Sequence, residues 1–278
     1  MVGQRYLARG IPAEHVSESL EYLSDFFLAH LPAADGAVVA GALNSVNGKF
    51  QQSGDAKTRI GKASTVWPEA EAFEAALLAG NQTDAQAIVT TLLESGKSLV
   101  EIELHVMQAA LYHIGDLWQE NQVSVAQEHM ASAMVQSIMT IALVRSTPPP
   151  STGQRVLLAC VEGNNHAIGL RMVSDAFQLR GWDVQYLGAN VPTSALTQQI
   201  EEWRPGLVGL SVAFAQHLPA ARATISLLEA RFGDARPAVI VGGLAMNRFS
   251  QLADFVGANA CYADAPSALE HANEFLRA

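Results

Sequence analysis

The chain has 278 residues, of which 49% are apolar and 16% are charged, and its formal net charge is −10. This length permits two compact domains, and no uninterrupted apolar stretch approaches the roughly 20 residues that a membrane-spanning helix needs. The negative charge and the lack of Lys and Arg clusters argue against nucleic-acid binding. Because the N-terminal residues also lack the order of a signal peptide, we expect a soluble, cytoplasmic protein.

Helical spacing of apolar residues predominates in the first half of the chain. Residues 1–68 predict a helical extension, with helices at about 17–31 and 36–50. Residues 69–146 predict a bundle of four helices, at about 69–79, 84–95, 98–119 and 125–145. Gly80 and Gly96 suit helix ends, and Ser124 with Gln127 fits a capping box at the start of the last helix.

Prolines 148 to 150 mark the clearest boundary, and residues 147–153 predict a stiff linker because proline forbids helix. In residues 154–278, apolar runs of strand length alternate with helical stretches, at 156–161, 184–187, 207–212, 239–241 and 260–262. This alternation predicts a flavodoxin-like (Rossmann-like) five-stranded parallel sheet with helices on both faces. The fold class is thus a helical bundle followed by an α/β domain. Cys160 and Cys261 lie in strand-like runs, so no disulfide is indicated.

Ligands of such sheets bind at the carboxyl ends of the strands, and the loops there carry polar or small residues. His166 follows the first predicted strand, Ser211 ends the third, and Gly242 with Gly243 follows the fourth. We expect them to line one elongated slot, in which glycine lets a bulky group approach the backbone. Each has an ordinary alternative, because a loop histidine is often only solvated and Gly-Gly often forms a tight turn.

The spacing of these loops resembles that of the cobalamin-binding domain shared by methionine synthase, the corrinoid mutases and the corrinoid methyltransferase proteins. That family has the pattern Asp-x-His-x-x-Gly, followed by Ser-x-Leu and then Gly-Gly. Here the first element ends at Gly169, and 41 residues separate Gly169 from Ser211. A further 28 residues separate Ala213 from Gly242.

The resemblance assigns a role to each matching position. It implies that His166 ligates cobalt from below, in place of the dimethylbenzimidazole of the cofactor itself. It also implies that Ser211 hydrogen-bonds the displaced nucleotide tail, and that Gly242 and Gly243 make room for this tail.

Two positions depart from the family pattern, since Asn164 stands where Asp is usual and Ala213 where Leu is usual. A carboxylate bonded to the far imidazole nitrogen raises ligand basicity more than an amide does. We therefore expect Asn164 to fix the orientation of the His166 ring while tuning the bond to cobalt more weakly.

The helical half carries a second pattern, in which Trp118 is followed ten and eleven residues later by Glu128 and His129. Taken alone, the pattern also suits a bundle Trp that covers a helix end beside an exposed Glu-His pair. It resembles the cap of the light-sensing, CarH-type cobalamin regulators. The resemblance implies that Trp118 packs against the upper axial group of adenosylcobalamin, that Glu128 and His129 touch the adenosyl group or the corrin edge, and that light moves the cap.

Two features differ from those regulators. Gln119 stands where they have a histidine that captures cobalt from above, and an amide is a poor cobalt ligand. Residues 1–68 are short and lack the basic recognition helix of a winged-helix domain. We therefore expect no direct operator binding.

The leading hypothesis is a cobalamin photoreceptor, not an enzyme, that signals to a partner protein and forms a homo-oligomer. Related photocobilins add a bilin, and residues 1–68 leave room for biliverdin as a second chromophore. Two alternatives stay open: a corrinoid carrier subunit of a methyltransferase system, and a cobalamin-responsive anti-repressor that binds a transcription factor.

Overall fold

A computed structural model describes residues 8–52 and 66–276. These residues form two compact units. The first unit contains residues 8–52 and 111–130, and the second contains residues 66–110 and 131–276. Among the described residues, no helix has the length and apolar character needed to cross a bilayer.

The first unit begins with a hairpin of two helices, α1 (Ala13–His30) and α2 (Ala33–Gln52). Both predicted helices of the extension are confirmed, although each begins a few residues earlier than expected. A buried amide ties them together, since Asn47 Oδ1 accepts from Ser17 Oγ at 2.6 Å and Asn47 Nδ2 donates to Glu21 at 3.3 Å.

The predicted bundle region is helical throughout, but one predicted helix is interrupted. Its elements are α3 (Glu69–Leu78), α4 (Gln82–Glu94), α5 (Leu99–Ile102), a π-helix (Glu103–Met107), α6 (Gln108–Gln119) and α7 (Val125–Arg145). Gly80 and Gly96 follow α3 and α4 with φ of +71° and +86°, as helix-ending glycines do. The expected single helix over 98–119 was wrong in one respect, because a π-helical turn divides it.

The second half contains the predicted five-stranded sheet, and all observed strand pairs are parallel. The strands are β1 (Arg155–Val161), β2 (Asp183–Val191), β3 (Leu207–Ser211), β4 (Ala238–Gly242) and β5 (Ala260–Cys261). Their order is β2-β1-β3-β4-β5, which is the flavodoxin-like order. Alternate residues of β1 pack into two apolar cores: Leu157, Ala159 and Val161 into one, and Val156, Leu158 and Cys160 into the other.

Helices connect consecutive strands, as parallel pairing requires. They are α8 (Ile168–Gln178), α9 (Thr193–Trp203), α10 (Leu218–Phe232), α11 (Leu244–Arg248) and α12 (Leu252–Val256), and α13 (Ala265–Ala272) follows β5. Short 3₁₀ helices lie at Ala215–His217, Gly233–Ala235 and Asn273–Leu276. The proline linker is anchored at its end, because the Thr152 N–H donates to the Gly181 carbonyl at 2.7 Å.

A buried carboxyl pair joins the π-helix to α8 within the second unit. Glu103 is 1% exposed and Asp175 is fully buried. Arg171 Nε donates to Asp175 Oδ1 at 2.7 Å, so this guanidinium is engaged by Asp175. Burial raises the pKa of Glu103 well above its usual range, and the charge of Asp175 raises this pKa further. Glu103 therefore keeps its proton to a higher pH than an ordinary glutamate does.

This proton makes the free energy of unfolding depend on pH. Above the ordinary glutamate pKa, the unfolded chain releases this proton, whereas the folded chain keeps it. The free energy of unfolding therefore falls as the pH rises, until the pH reaches the raised pKa of Glu103. We expect a slope of about 1.4 kcal/mol per pH unit for one such proton. Urea unfolding at a series of pH values measures this slope.

The Glu103→Gln variant has no proton to release and should lose most of this slope. Glu71, an exposed glutamate of α3, provides the control, because Glu71→Gln should leave the slope unchanged. Equal slopes for the wild type and Glu103→Gln would contradict the assignment of the proton to Glu103.

Candidate functional site

The strand-end loops singled out in the sequence meet at one edge of the sheet. Strand β1 pairs with β3 so that Cys160 lies opposite Ser211, and β3 pairs with β4 so that Ser211 lies opposite Gly242. The carboxyl ends of three neighbouring strands are therefore level. The loop that carries His166 leaves the middle of this edge, between β1 and α8.

The imidazole of His166 is exposed at this edge. Its ring meets the ring of Phe214 edge to face, with centroids 4.8 Å apart and an interplanar angle of 89°. Within the described part of the chain, the backbone N–H of His166 donates to Asn164 and its carbonyl accepts from the Cys160 thiol, whereas neither ring nitrogen makes a hydrogen bond. An unengaged imidazole nitrogen is a suitable ligand for cobalt, so this residue fits the lower position of a corrin.

Asn164 is fully buried, but it holds the loop and not the ring. Its Oδ1 accepts from the His166 backbone N–H at 3.0 Å, and its Nδ2 donates to the Ser211 carbonyl at 2.9 Å. Among the described residues, Asn164 makes no hydrogen bond with the His166 ring, so any effect that it has on the orientation of the imidazole passes through the backbone. The side chain fixes the backbone from which the imidazole projects, and it needs both an acceptor and a donor to do so.

Ser211 is buried at the end of β3, and its hydroxyl faces two neighbours. Asn164 Nδ2 lies 3.4 Å from Ser211 Oγ, and the other neighbour is the Cys160 thiol, which donates to the His166 carbonyl at 3.6 Å. Burial raises the pKa of the Cys160 thiol to about 11, although the Ser211 hydrogen bond opposes this shift. Ala213, two residues further, is also buried.

The two glycines after β4 lie against backbone. A Cβ on Gly242 would be 3.1 Å from the Tyr262 carbonyl oxygen. Gly243 has a φ of +99°, and a Cβ there would be 2.7 Å from the Val212 carbonyl oxygen. Contact with the Val212 backbone therefore requires glycine at position 243, whether or not a ligand also occupies this region. Gly169, in α8, faces open space.

Two residues that sequence reasoning missed hold the loop after β1. Asn190, at the end of β2, adopts a φ of +51° and accepts the Gly163 N–H at 2.7 Å. His217 is buried beside Gly163, and it comes from the loop after β3. A strand-end Asn that precedes Val-Pro is a weak turn signal, whereas no local pattern indicated His217.

Trp118, Glu128 and His129 lie in the first unit, in the helices that flank residues 120–124. Asn121, with a φ of +59°, ends the turn after α6, and the predicted Ser124–Gln127 capping box begins α7. His129 Nδ1 and Glu128 Oε2 are 2.6 Å apart. Their side chains are 74% and 31% exposed, so His129 is accessible.

The N-terminal extension also reaches Trp118, which the sequence did not predict. The guanidinium of Arg9 lies 5.4 Å from the centroid of the indole, and Arg9 Nη2 donates to the Trp118 carbonyl at 3.1 Å. This combines a cation–π contact with a hydrogen bond. Gln119, the neighbour of Trp118, is partly buried.

Comparison with known proteins identifies both halves of the chain. Residues 154–273 match a B12 binding domain family, and residues 69–143 match a second B12 binding domain family. The HTH-type transcriptional repressor CarA of Myxococcus xanthus is 31% identical over 157 residues, which are 56% of this chain and 52% of CarA. The chain therefore spans about half the length of CarA.

Dimethylamine corrinoid protein 2 of Methanosarcina acetivorans is 30% identical over 219 residues, which are 78% of this chain and 87% of that protein. The solved monomethylamine corrinoid protein of Methanosarcina barkeri superposes with a TM-score of 0.64 over 73% of this chain and 96% of its own, at 17% identity. That structure shows the shared fold alone. By its two matched domains and its extended similarity to a corrinoid protein, the chain belongs to the cobalamin-binding (B12-binding) protein family.

Proposed function

We propose that this protein is a light sensor that uses adenosylcobalamin as its chromophore, is not an enzyme, and signals to a partner protein. One observation carries the cobalamin part of the proposal: the exposed His166 imidazole at the carboxyl edge of the sheet, with both ring nitrogens free of hydrogen bonds in the described chain. The sequence similarity to CarA, a transcriptional repressor, supports a regulatory role over a catalytic one.

In this proposal the residues of each unit have separate tasks. His166 would hold the cobalt, while Asn164 and Ser211 hold the backbone of its loop. Trp118, Glu128 and the accessible His129 would hold the adenosyl group. Adenosylcobalamin supplies a cobalt–carbon bond that light breaks. Because the indole of Trp118 already packs on Arg9, a change at the upper face reaches the N-terminal extension through this contact.

Illumination of the adenosylcobalamin complex tests the proposal. We expect green light to change the absorption spectrum and, at the same time, the oligomeric state measured by size-exclusion chromatography with light scattering. The spectral change alone is insufficient, since the free cofactor is also sensitive to light. A change in mass that requires both cofactor and light is the expected result.

The hydroxocobalamin complex is the control, because it lacks a light-sensitive carbon ligand and should keep one mass in light and darkness. Light sensing would be contradicted if illumination changed neither the mass of the adenosylcobalamin complex nor the hydrogen-exchange pattern in residues 111–130.

A corrinoid methyl carrier is the second candidate, favoured by the similarity that spans 87% of dimethylamine corrinoid protein 2. A carrier must expose the upper face of the corrin to a methyltransferase partner. Light-independent transfer of a methyl group from the methylcobalamin complex to a thiol acceptor, in the presence of a corrinoid methyltransferase, would favour this candidate over the sensor.

The proposal includes biliverdin as a second chromophore in the N-terminal extension. Burial raises the pKa of both cysteines, and the pKa of Cys160 reaches about 11, so neither thiol is activated for a thioether bond. A bilin would therefore be held without a covalent link. Absence of a red absorption band after reconstitution with biliverdin would remove the bilin from the proposal.

A further inference from the structure

The ring of His166 contacts an aromatic ring from another loop. Phe214 follows β3, and its ring stands perpendicular to the His166 ring at a centroid distance of 4.8 Å. Phe214 is 42% exposed, so it contributes little to the core of the domain. Edge-to-face aromatic pairs favour one mutual orientation over others, and this pair restricts an imidazole that is otherwise free to rotate.

Phe214 is itself held by His217. The backbone N–H of Phe214 donates to His217 Nδ1 at 3.3 Å across the short 3₁₀ helix Ala215–His217. His217 is only 5% exposed, although it lies in a loop. An Nδ1 that accepts a hydrogen bond places the ring proton on Nε2, so His217 is a neutral imidazole with one donor left.

The other edge of the His217 ring faces the loop that carries His166. A Cβ on Gly163 would lie 3.7 Å from His217 Cδ2, which shows how closely the ring approaches this glycine. Burial lowers the pKa of His217, the nearby His166 lowers it further, and a hydrogen bond to the Gly163 backbone opposes these effects. The neutral ring thus bridges Phe214 on one side and Gly163 on the other.

The Gly163 end of this bridge is rigid. Gly163 has a φ of +85°, and its N–H donates to Asn190 Oδ1 at 2.7 Å. The Asn190 N–H in turn donates to the Asn164 carbonyl at 2.9 Å. The loop after β1 is therefore held from β2 by Asn190 and from the loop after β3 by His217, and the His166 ring projects between these two supports.

We propose that His217 and Phe214 are positioning residues that hold the His166 imidazole in the orientation in which it binds the cobalt of cobalamin. This inference rests on the proposed role of His166 as the lower ligand. His217 acts by fixing the distance between the two loops, and Phe214 acts on the ring itself. Neither residue contacts the metal in this proposal.

Electron paramagnetic resonance of the Co(II) form tests the proposal, because the nucleus of the axial nitrogen splits the signal. Protein labelled with ¹⁵N, mixed with unlabelled cobalamin, gives doublets when histidine is the ligand and triplets when dimethylbenzimidazole is. We expect Phe214→Leu to lower the ratio of doublet to triplet signal about twofold to tenfold, the range that corresponds to one edge-to-face contact.

Further variants separate positioning from general stability. His217→Leu keeps the volume but loses the hydrogen bond from the Phe214 N–H and the polar edge that faces Gly163, and it should lower the ratio as well. His217→Gln retains a donor and an acceptor and should restore most of it. Phe249→Leu removes another exposed phenylalanine of the same unit and should leave the ratio unchanged.

The apo protein provides a measurement that does not depend on the cofactor. The ring current of Phe214 should shift the imidazole proton resonances of His166, and Phe214→Leu should abolish this shift in the NMR spectrum. Since Phe214 is exposed, this variant should keep the thermal unfolding temperature of the wild type.

The outcomes distinguish this inference from the proposed function. A wild type with triplets only would overturn His166 as the ligand, and the positioning role with it. If the wild type gives doublets and both Phe214→Leu and His217→Leu keep the same ratio of doublet to triplet signal, only the positioning role is overturned. Unchanged His166 resonances in Phe214→Leu would overturn it too.

Discussion

The His166→Ala variant is expected to bind cobalamin more than about tenfold more weakly than the wild type, and to return the bound cofactor to the spectrum of a dimethylbenzimidazole-ligated or water-ligated corrin. Removal of groups that only support a metal ligand already costs about 10- to 100-fold in affinity, and here the ligand itself is lost. Titration followed by absorbance measures both the affinity and the spectrum.

His30 provides a matched control for this experiment. It is an exposed histidine at the end of α1, in the other unit, so His30→Ala should bind cobalamin as the wild type does. Because His166 is exposed and its ring makes no hydrogen bond with the described residues, its removal should leave the apo protein stable. Unaltered affinity and colour in His166→Ala would contradict cobalt ligation by this residue.

The Asn164→Asp variant introduces the residue that is usual in the cobalamin-binding family, and it should nevertheless destabilise this chain. Asn164 Nδ2 donates to the Ser211 carbonyl at 2.9 Å, and a carboxylate would place an oxygen there instead. An unsatisfied buried acceptor costs about 1–3 kcal/mol, and more when it carries a charge. We expect a loss of at least about 2 kcal/mol in the free energy of unfolding.

Asn165 is the neighbouring asparagine and is exposed, so Asn165→Asp makes the same chemical change in contact with water. It should alter the free energy of unfolding by less than about 0.5 kcal/mol. Equal stability of the two variants in urea would show that the side chain of Asn164 does not donate to Ser211 as described.

The fold was predictable from periodicity, and so was the position of the candidate site. Strand-length apolar runs predicted all five strands, and a parallel sheet necessarily collects the loops after β1, β3 and β4 at one edge. The contacts within those loops were not predictable. Phe214 and His166 are 48 residues apart in the sequence, and nothing local in either segment indicates that the two rings meet.

Buried polar residues account for the other differences. Glu103 is a charged residue type in an otherwise ordinary amphipathic pattern, and its tertiary surroundings, which include Asp175 of α8, make it a buried acid. In the sequence, Asn164 stands where the cobalamin-binding family usually has Asp. In the structure, its amide donates to the Ser211 carbonyl and accepts from the His166 N–H, so both ends of the amide are used. In both cases the partner comes from a segment distant in sequence, which a local pattern does not contain.

The π-helical turn at Glu103–Met107 bears on how chains of this family can change length. A π-turn contains one residue more than an α-turn for about the same rotation around the helix axis. Deletion of a single residue there would therefore restore a regular helix and leave Trp118 on nearly the same side of α6. The same deletion within a regular α-helix would rotate Trp118 by about 100° about the axis. The turn is thus a place where the chain can lose one residue without redirecting the tryptophan.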